Sequence, residues 1–560
     1  MDDDNDRRAE ANLDHLLRLF TVPETRGSTL ARIEQEVTEN LAGFLRDRVV
    51  ATERDLAELE TDFADTRLPE HPTFVSDQAD FLLEKVVAES VHTAAPGFVG
   101  HMTTALPYFM LPLAKLLAGL NQNLVKTETS KAFTPLERQV LGMLHRLVYA
   151  RDDTFYATHL HDAERALGAF GSGGTVANIT ALWVARNRAF PADGGFPGIA
   201  RAGFAAALAH HDCRGAVVLV SARGHYSLGK AADLLGLGRD QVVAIPTDRE
   251  DRVRPELVAA ACRERQARGE RVMAIVGVAG TTETGRVDPL GALADVAAEH
   301  GAHFHVDAAW GGPTLFSRRE AGKLAGIERA DSVTLDAHKQ LYVPLGCGAA
   351  LFRDPAALNA VEHHAAYVIR AGSRDLGSRT LEGSRPGMAL LVHSGLRVFG
   401  RQGYALLIER GIDLAHHFAG LLRAAPDFEL VTAPELNILT YRYAPPWFQE
   451  AWTNGDAARR GVLDTGLNGV IAELQRRQRA RGRSFVSRTT LEFEDRPVPL
   501  VVFRVVLANP LTTGAILDAM LDEQRALAAE PGVAEQLDAL RGEAGAGEGG
   551  PSDATDSLSG

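Results

Sequence analysis

The stretch His303-Phe-His-Val-Asp-Ala-Ala-Trp-Gly-Gly312 indicates the fold class of this chain. Its first part belongs to a predicted strand at 302–307, which ends in a carboxylate, Asp307, and two glycines close the stretch. Similar apolar runs occur at 215–221, 241–245, 271–278 and 331–336. Segments with helical spacing alternate with these runs at 175–190, 228–236, 255–268 and 290–300. Strands with continuous apolar residues that alternate with helices predict an α/β fold with a mostly parallel sheet buried on both faces.

Length, charge and cysteine content narrow the class of protein. With 560 residues, 45% of them hydrophobic, the chain can form more than one domain core. A formal net charge of −14 argues against nucleic acid or an anionic membrane surface as a partner. Three widely spaced cysteines (Cys213, Cys262 and Cys347) form no metal-binding pattern, so we predict no metal site and a reducing compartment. The first residues, Met-Asp-Asp-Asp-Asn-Asp, do not resemble a signal peptide, and we therefore expect a cytoplasmic location.

One uncharged stretch, residues 91–114, is long enough to span a membrane. It contains Pro96, Pro107 and Pro112, which would interrupt a single lipid-facing helix. We therefore predict a buried loop followed by a helix, and no membrane association.

Changes in pattern along the chain suggest its domain organisation. Residues 1–120 are predicted to be a helical segment, because apolar residues recur at helical spacing between Leu13 and Leu45. These helices could pack on a second subunit or on the large domain of the same chain. The large domain is predicted at 121–385, and a smaller α+β domain at 386–535. Residues 541–560 are rich in Gly, Ser, Asp and Glu, and we predict that this tail is disordered.

Three residues at or after the predicted strands have side chains suited to one cofactor. Lys339 follows the strand at 331–336, where ligands bind in open α/β sheets, and a partly desolvated lysine can attack an aldehyde. Asp307 ends a buried strand and needs a partner, which a protonated pyridine nitrogen would supply. His225, after the strand at 215–221, could stack on the pyridine ring. Together they predict a pyridoxal 5'-phosphate (PLP) site, although each alone could be structural: a solvated lysine, a capping aspartate or a turn histidine.

Further motifs could hold the rest of this cofactor. The loop Gly171-Ser172-Gly173-Gly174-Thr175 precedes a helix, whose N-terminus can bind a phosphate. It matches neither a Walker A loop nor a dinucleotide motif. His338 could hydrogen-bond the same phosphate. In the segment 280–285, Thr281 and Thr282 could hold the ring oxygen or orient Asp307, or could simply stabilise a turn.

The motifs Gly-Ser-Gly-Gly-Thr, Gly-His-Tyr-Ser, Gly-Thr-Thr-Glu-Thr-Gly, His-Val-Asp-Ala-Ala-Trp-Gly-Gly and Asp-Ala-His-Lys occur in this order in the chain. Their order and context resemble the group II PLP-dependent decarboxylases over roughly residues 90–530. The resemblance implies the type I PLP-dependent transferase fold (aspartate aminotransferase-like), with a seven-stranded large domain and a smaller α+β domain. It also implies a homodimer with the active site at the subunit interface and PLP bound covalently to Lys339. Contacts from Ala309, and from Ser384 to the phosphate of the neighbouring subunit, follow from the same resemblance.

Other matches bear on the substrate. Arg504, in Phe-Arg-Val-Val-Leu-Ala-Asn-Pro, resembles the arginine that holds the substrate α-carboxylate in glutamate decarboxylases, and His101 stands where those enzymes contact the substrate side chain. Residues 121–145 are most similar to bacterial PLP-dependent aspartate 1-decarboxylases, which implies conversion of L-aspartate to β-alanine and CO₂ for pantothenate supply. The alternatives are a glutamate or other group II decarboxylase, a PLP carbon–carbon lyase, or a non-catalytic homologue.

The chain departs from the family in one loop. Many members carry a tyrosine after the lysine that is thought to protonate the substrate carbon, but residues 371–385 contain none. The nearest tyrosine is Tyr367, so the sequence leaves the proton donor unassigned.

Overall fold

The computed structural model describes Gln35 and residues 50–51, 54–364 and 373–546. The chain divides into two compact units: a small unit (residues 1–101, 443–488 and 511–560) and a large unit (102–442 and 489–510). Residues 102–120 and 386–442 group with the large unit, whereas the sequence prediction assigned them to the N-terminal segment and to the small domain. The predicted helical stripes between Leu13 and Leu45 lie outside the described residues.

The described residues form the following regular elements. The α-helices are α1 Leu56–Asp62, α2 Val75–Leu82, α3 Met110–Leu120, α4 Thr127–Ser130, α5 Phe133–Tyr149, α6 Asp153–His159, α7 Gly174–Ala189, α8 Ile199–Ala202, α9 Phe204–His210, α10 Ser227–Leu234, α11 Pro255–Ala267, α12 Leu290–His300, α13 Ala389–Ala424, α14 Pro446–Asn454, α15 Ala457–Arg481, α16 Gly514–Ala528 and α17 Val533–Ala546. The strands are β1 Gly168–Gly171, β2 Gly215–Ser221, β3 Val242–Ile245, β4 Glu270–Val278, β5 His303–Asp307, β6 Ser332–Asp336, β7 Gly348–Phe352, β8 Phe428–Thr432, β9 Ile438–Tyr443, β10 Ser487–Leu491 and β11 Leu500–Val506.

A seven-stranded sheet in the order β1-β7-β6-β5-β4-β2-β3 forms the centre of the large unit. The pairs β2–β3, β2–β4, β4–β5 and β5–β6 are parallel. Only β7 departs, since it pairs antiparallel with β6 and with β1. The predicted mostly parallel, seven-stranded sheet is confirmed, and so is the type I PLP-dependent transferase fold.

Both faces of this sheet are buried, as the continuous apolar runs predict. Along β2, Val217 and Leu219 pack into one core cluster, which also contains apolar residues of α11 and α12. Val218 and Val220 point to the opposite cluster, which they share with residues of α7 and α10. Because a strand alternates its side chains between faces, helices on both sides of the sheet leave β2 no polar face.

Two helices of the large unit, α7 and α12, are neighbours in the chain of strands of this sheet, and sequence signals mark where they end. α7 starts directly after the glycine loop and ends just before Pro191, which cannot continue a helix. α12 ends at Gly301, whose φ of 64° gives the left-handed cap that glycine adopts without strain. α7 thus begins shortly after β1, and α12 leads into β5.

A second sheet has four strands in the order β10-β11-β9-β8. β11 pairs antiparallel with β9, with Arg504 opposite Thr440. All four strands lie within residues 386–535, the range for which the sequence pattern predicts a smaller α+β domain. The preceding long helix, α13, is broken by a kink at Gly400, where φ is 59°.

In the small unit, residues 97–101 are held by backbone hydrogen bonds. Val99 N–H donates to the Phe485 carbonyl (3.0 Å) and Phe485 N–H to the Gly97 carbonyl (2.9 Å). The Phe98 and Phe485 rings stack at 5.1 Å. A Cβ at Gly100 would lie 2.4 Å from the Ser487 nitrogen, so this close approach requires glycine.

One prediction about the C-terminus is wrong in part. Residues 541–546 belong to α17 and are not disordered, because the Ala- and Glu-containing segment continues a helix whose Leu540 is buried at 4% exposure. Leu540 packs so closely on α15 that a Cβ at Gly466 would meet its Cδ1 at 2.5 Å. Residues 547–560 lie outside the described residues.

The uncharged stretch 91–114 has the predicted order, a loop followed by a helix, but it is buried only in part: Tyr108 is 88% and Leu111 51% exposed. An irregular segment leads to Phe109, and α3 begins at Met110, which is fully buried. None of the described helices combines the length and the apolar character that a membrane crossing needs.

Candidate active site

A cavity of about 290 Å³ opens in the large unit at the carboxyl ends of the parallel strands. Loops after β1, β2, β4, β5 and β6 contribute to its wall, which is the position expected for a ligand in an open α/β sheet. It is lined by Met102, Ser172, Gly173, Gly174, Thr175, Val176, Asn178, Arg223, His225, Tyr226, Val278, Gly280, Thr282, Asp307, Ala309, Trp310, Asp336, His338 and Lys339.

The glycine loop brings backbone N–H groups to this cavity. A Cβ at Gly174 would lie 2.7 Å from Asp336 Oδ2, and a Cβ at Gly173 would lie 3.2 Å from His338 Cε1. The backbone therefore approaches the end of β6 more closely than a larger residue would allow. The N-terminus of α7, a helix of 16 residues, begins at the cavity wall and offers its dipole and N–H groups to an anion.

Lys339 is partly buried beside a carboxylate. Its Nζ lies 3.3 Å from Asp336 Oδ2, with side-chain exposures of 18% and 3%. His338 Nδ1 lies 3.1 Å from the Cys347 carbonyl oxygen, which can only accept, so Nδ1 carries a proton. The same nitrogen is 3.6 Å from Asp336 Oδ1. Asp336 thus stands between the two residues predicted to contact the cofactor.

The Asp307 carboxylate is fixed by two donors. Asn178 Nδ2 donates to Oδ2 at 2.9 Å, and the backbone N–H of Ala309 donates to Oδ1 at 3.2 Å. Asp307 is 6% exposed and lines the cavity. A buried carboxylate at this position favours a cationic partner in the cavity.

His225 faces the same cavity from the loop after β2. Its Nδ1 lies 2.8 Å from Ser227 Oγ, and its ring centroid is 4.2 Å from that of Tyr226. Burial lowers the pKa of His225, and the nearby Lys339 acts in the same direction, although Asp307 opposes the shift. The ring is therefore mainly neutral at pH 7 and presents a flat face suited to stacking.

The threonines at 281–282 separate into two roles. Thr282 lines the cavity, whereas Thr281 is fully buried and does not. Thr281 Oγ1 lies 2.8 Å from Thr284 Oγ1 and accepts a hydrogen bond from Arg286 N–H. These contacts stabilise the turn, which is one of the two roles that the sequence left open for Thr281. The side chain that contacts Asp307 is Asn178.

Arg504, on β11, is held behind the cavity wall. Its Nε donates to the Thr282 carbonyl at 2.6 Å. Arg504 is 7% exposed, and burial lowers its pKa to about 10, while Glu283 opposes the shift. Burial raises the pKa of Glu283, against the attraction of Arg223 and Arg504. Arg504 does not line the cavity, but Thr282, to which it is hydrogen-bonded, does.

Two other predicted residues, Ser384 and His101, are absent from the set that lines the cavity. Ser384 is exposed and accepts a hydrogen bond from Asn123 Nδ2 (2.9 Å), although neighbouring Glu382 accepts one from Ser172 N–H. His101 belongs to the small unit, where it is exposed with its ring 6.5 Å from that of Phe98. Tyr367 lies outside the described residues. The roles predicted for Ser384 and His101 stay predictions.

The structure adds cavity residues that sequence reasoning missed. Asn178 lies inside α7, and Asp336 lies in the quoted Asp-Ala-His-Lys motif without having been singled out. A carboxylate three residues before the lysine, at a strand end, was the available signal for Asp336. Arg223 and Tyr226 flank His225, and Arg223 Nε binds Asp251 Oδ1 at 2.6 Å.

Among the described residues, one group outside the cavity has the donor types of a metal site. Asp193, His210 and His211 bring ligand atoms within 4.8 Å of one another. The group is largely exposed, and His210 Nε2 already hydrogen-bonds to Asp193 Oδ1 at 2.5 Å.

The cavity fits PLP, because it combines a glycine cradle at a helix N-terminus with an amine and a buried carboxylate. Gly174, Lys339 and Asp307 supply these three features, and all three line the cavity. A type I sheet with this arrangement at its carboxyl edge defines a PLP-dependent enzyme.

The chain belongs to the PLP-dependent decarboxylases: residues 60–444 match the family described as the pyridoxal-dependent decarboxylase conserved domain. It is 54% identical to the aspartate 1-decarboxylase of Aliivibrio fischeri (strain ATCC 700601 / ES114) over 94% of this chain and 96% of that protein. It is 30% identical to the L-2,4-diaminobutyrate decarboxylase of Rhizobium meliloti (strain 1021), over 81% and 82% of the two chains. The crystal structure of mouse CSAD superposes with a TM-score of 0.77 at 26% identity, over 90% of this chain and 99% of that one. The family, the PLP cofactor and the carboxy-lyase activity predicted from the sequence are confirmed.

Proposed function

We propose that this decarboxylase removes the α-carboxylate of L-aspartate and produces β-alanine and CO₂. The observation that supports this substrate is the 54% identity, over nearly the whole of both chains, to an aspartate 1-decarboxylase. The second relative, at 30% identity, acts on a basic amino acid by its name, so family membership alone does not select an acidic substrate.

When bound, PLP supplies a carbonyl that links covalently to an amino group and a ring that accepts electrons released at the α-carbon. Lys339 would hold that carbonyl through Nζ, which lies in the cavity beside Asp336. Asp307 would keep a proton on the ring nitrogen, because its buried carboxylate favours a cation. His225 would stack on the ring, and Ser172, Gly173, Gly174, Thr175 and His338 would hold the phosphate.

Substrate orientation is assigned to Arg504. Its guanidinium is anchored to the Thr282 carbonyl, next to the cavity wall, and stays charged at pH 7 even with a pKa lowered to about 10. A planar guanidinium can bind an α-carboxylate in a defined direction, so that the scissile bond is held relative to the ring. His101 is proposed to contact the substrate side chain.

We also propose that the enzyme works as a homodimer. In the large unit, Tyr108 is 88% exposed, and Leu111, Leu116 and Leu120 of α3 are also exposed. Leu116 and Leu120 share one face of the helix, and exposed apolar side chains of this size are typical of a subunit interface. Tyr226 lines the cavity and is 65% exposed, which is consistent with a partner subunit near the cavity mouth. Ser384 would then act toward the partner's phosphate, and a cytoplasmic location remains the prediction from the sequence.

The substrate proposal is tested by incubating the PLP-loaded enzyme with a panel of amino acids and measuring the amine products and CO₂. L-aspartate should have the highest kcat/KM, with β-alanine and CO₂ formed in equal amounts. A higher kcat/KM for L-glutamate would instead favour glutamate decarboxylation. Aspartate and glutamate differ by one methylene, which is typically worth about 1–3 kcal/mol, so only the ratio of kcat/KM values decides.

A further inference from the structure

A buried hydrogen-bond chain runs from the Asp307 carboxylate into the sheet. Its centre is Asn178, in the second turn of α7 and 1% exposed. Asn178 Nδ2 lies 2.9 Å from Asp307 Oδ2 and 2.9 Å from Ser227 Oγ. Asn178 Oδ1 lies 3.1 Å from His305 Nε2. One amide therefore joins the carboxylate, a serine and a histidine.

The chemistry of these groups fixes the direction of each bond. A carboxylate only accepts, so the Asn178 atom facing Asp307 must be the NH₂ group. Asn178 Oδ1 can then only accept, and His305 must carry its proton on Nε2. His305 Nδ1, 2.8 Å from Ser332 Oγ, is left to accept the Ser332 hydroxyl hydrogen.

The chain ends on a second histidine. His303 Nε2 lies 2.7 Å from Ser332 Oγ and donates to it, because the serine hydrogen is committed to His305. Burial lowers the pKa values of His303 and His305, so both rings are neutral at pH 7. A longer contact of 3.5 Å joins His305 Nε2 to Thr334 Oγ1. The chain is thus built from neutral groups and adds no competing charge to Asp307.

The other branch sets the protonation of His225. Ser227 Oγ accepts from Asn178 Nδ2, so its hydrogen is available for His225 Nδ1 at 2.8 Å. The backbone N–H of Ser227 also points at His225 Nδ1 (3.3 Å), which confirms that this nitrogen accepts. Neutral His225 therefore carries its proton on Nε2.

We propose that Asn178 and His305 are positioning residues that fix the Asp307 carboxylate toward the ring nitrogen and hold His225 as its Nε2-protonated tautomer. The proposal rests on the proposed role of Asp307 in cofactor binding. It assigns a function to two buried residues, each of which acts through Asp307 or His225.

The first test is Asn178→Asp, measured by the visible absorbance of the PLP-bound enzyme as a function of pH. Two carboxylates at hydrogen-bonding distance share one proton and titrate as a pair. Apart from each other, their titratable neighbours are His305 and His225, and Lys339 and Asp336 act in turn on His225. The variant should therefore show a new ionisation in its visible spectrum that the parent lacks. A pH profile identical to that of the parent would overturn the proposal.

Asn187→Asp is the matched control. Asn187 lies on the same helix and is also buried, but its Nδ2 donates to the Ala360 carbonyl (2.7 Å) and its Oδ1 accepts from Arg186. This variant introduces the same buried charge into α7 without touching Asp307. It should show no new ionisation, and the same ionisation in both variants would contradict the proposed link.

A second pair of variants tests the chain without adding charge. Gln at position 305 can place an N–H donor where His305 Nε2 meets Asn178, whereas Asn is too short. His305→Gln should bind PLP, titrated into apoenzyme, within about threefold of the parent affinity. His305→Asn should bind at least about tenfold more weakly, the factor that corresponds to one ordinary buried hydrogen bond. Equal affinities in two variants of normal melting temperature would overturn the proposal. If the parent itself gives no PLP absorbance, the proposed function fails instead.

Discussion

Lys339 Nζ and Asp336 Oδ2 lie 3.3 Å apart, at the carboxyl end of β6, with the aspartate side chain 3% exposed. The same carboxylate approaches the glycine loop so closely that a Cβ at Gly174 would meet it at 2.7 Å. Asp336 thus connects the amine proposed to hold the cofactor to the loop proposed to hold its phosphate.

This pairing leads to a prediction for Asp336→Asn. The amide keeps the shape but loses the charge that orients Lys339 and His338, and PLP should bind about tenfold more weakly, as expected for loss of a hydrogen bond to a charged group. Equilibrium dialysis of apoenzyme against PLP measures the affinity. Asp354→Asn is the control, because Asp354 forms a half-exposed ion pair with Arg188 outside the cavity lining. Parent-like PLP affinity in Asp336→Asn would mean that the charge has no part in holding the cofactor.

Asp307→Asn should retain the fold and lose catalytic rate. The amide cannot keep a proton on the ring nitrogen, so we expect kcat to fall on the order of a hundredfold or more, the size of a major electrostatic contribution. Steady-state kinetics with L-aspartate at saturating PLP provide the measurement. An unchanged kcat would show that Asp307 serves only to cap the loop at Ala309.

Arg504→Lys should raise KM for L-aspartate and lower kcat, with the cofactor absorbance unchanged. Lysine keeps the positive charge but cannot reproduce the planar guanidinium that is anchored on Thr282, so the scissile bond is misaligned.

In parallel, His101→Gln should change the ratio of kcat/KM for aspartate and glutamate more than it changes PLP binding. Parent kinetics in both variants, for every acidic substrate, would refute the proposed substrate contacts.

The stability of the fold should depend on pH through His145. This residue is buried between the Tyr156 hydroxyl (2.9 Å) and the Phe352 carbonyl (3.1 Å), and burial lowers its pKa to about 4. The unfolded chain, with a histidine pKa near 6.5, binds more protons than the folded chain between these values. The contribution of His145 to stability is therefore complete above about pH 6.5 and is lost as the pH falls toward 4.

Thermal unfolding at pH 7 and pH 5 measures this effect. The parent Tm should fall at the lower pH, and His145→Gln should show a smaller fall from a lower starting Tm, because glutamine can still donate to Phe352 but does not titrate. A fall of the same size in both proteins would assign the pH dependence to other histidines.

The sequence predicted most strands of the seven-stranded sheet but missed β1 and β7, the two strands at one of its edges. β2 has the predicted bounds, and β4, β5 and β6 differ by one residue, because long apolar runs leave little freedom in where a buried strand lies. β1 and β7 were missed, since Gly-Ala-Phe-Gly and Gly-Ala-Ala-Leu-Phe are short and rich in residues with low strand propensity. Their antiparallel pairing becomes apparent only in three dimensions.

The candidate site shows the same limit. Lys339, Asp307 and His225 lie at or after strand ends, where local sequence predicts exposure to a ligand, and the structure places all three at one cavity. Asn178 lies inside a helix, and nothing in its local sequence distinguishes it from Asn187 on the same helix. Its role depends on the distance between α7 and β5, which no local pattern records.

The most direct measurement is the location of the covalently held cofactor. The PLP-loaded enzyme is treated with borohydride, digested and analysed by peptide mass spectrometry, with Lys339→Ala as the control. We predict one pyridoxyl group per chain on Lys339 and none in the variant, which should also lack visible absorbance and turnover. A pyridoxyl group on another lysine of the parent, or substantial steady-state turnover by Lys339→Ala, would contradict the assignment of this cavity as the active site.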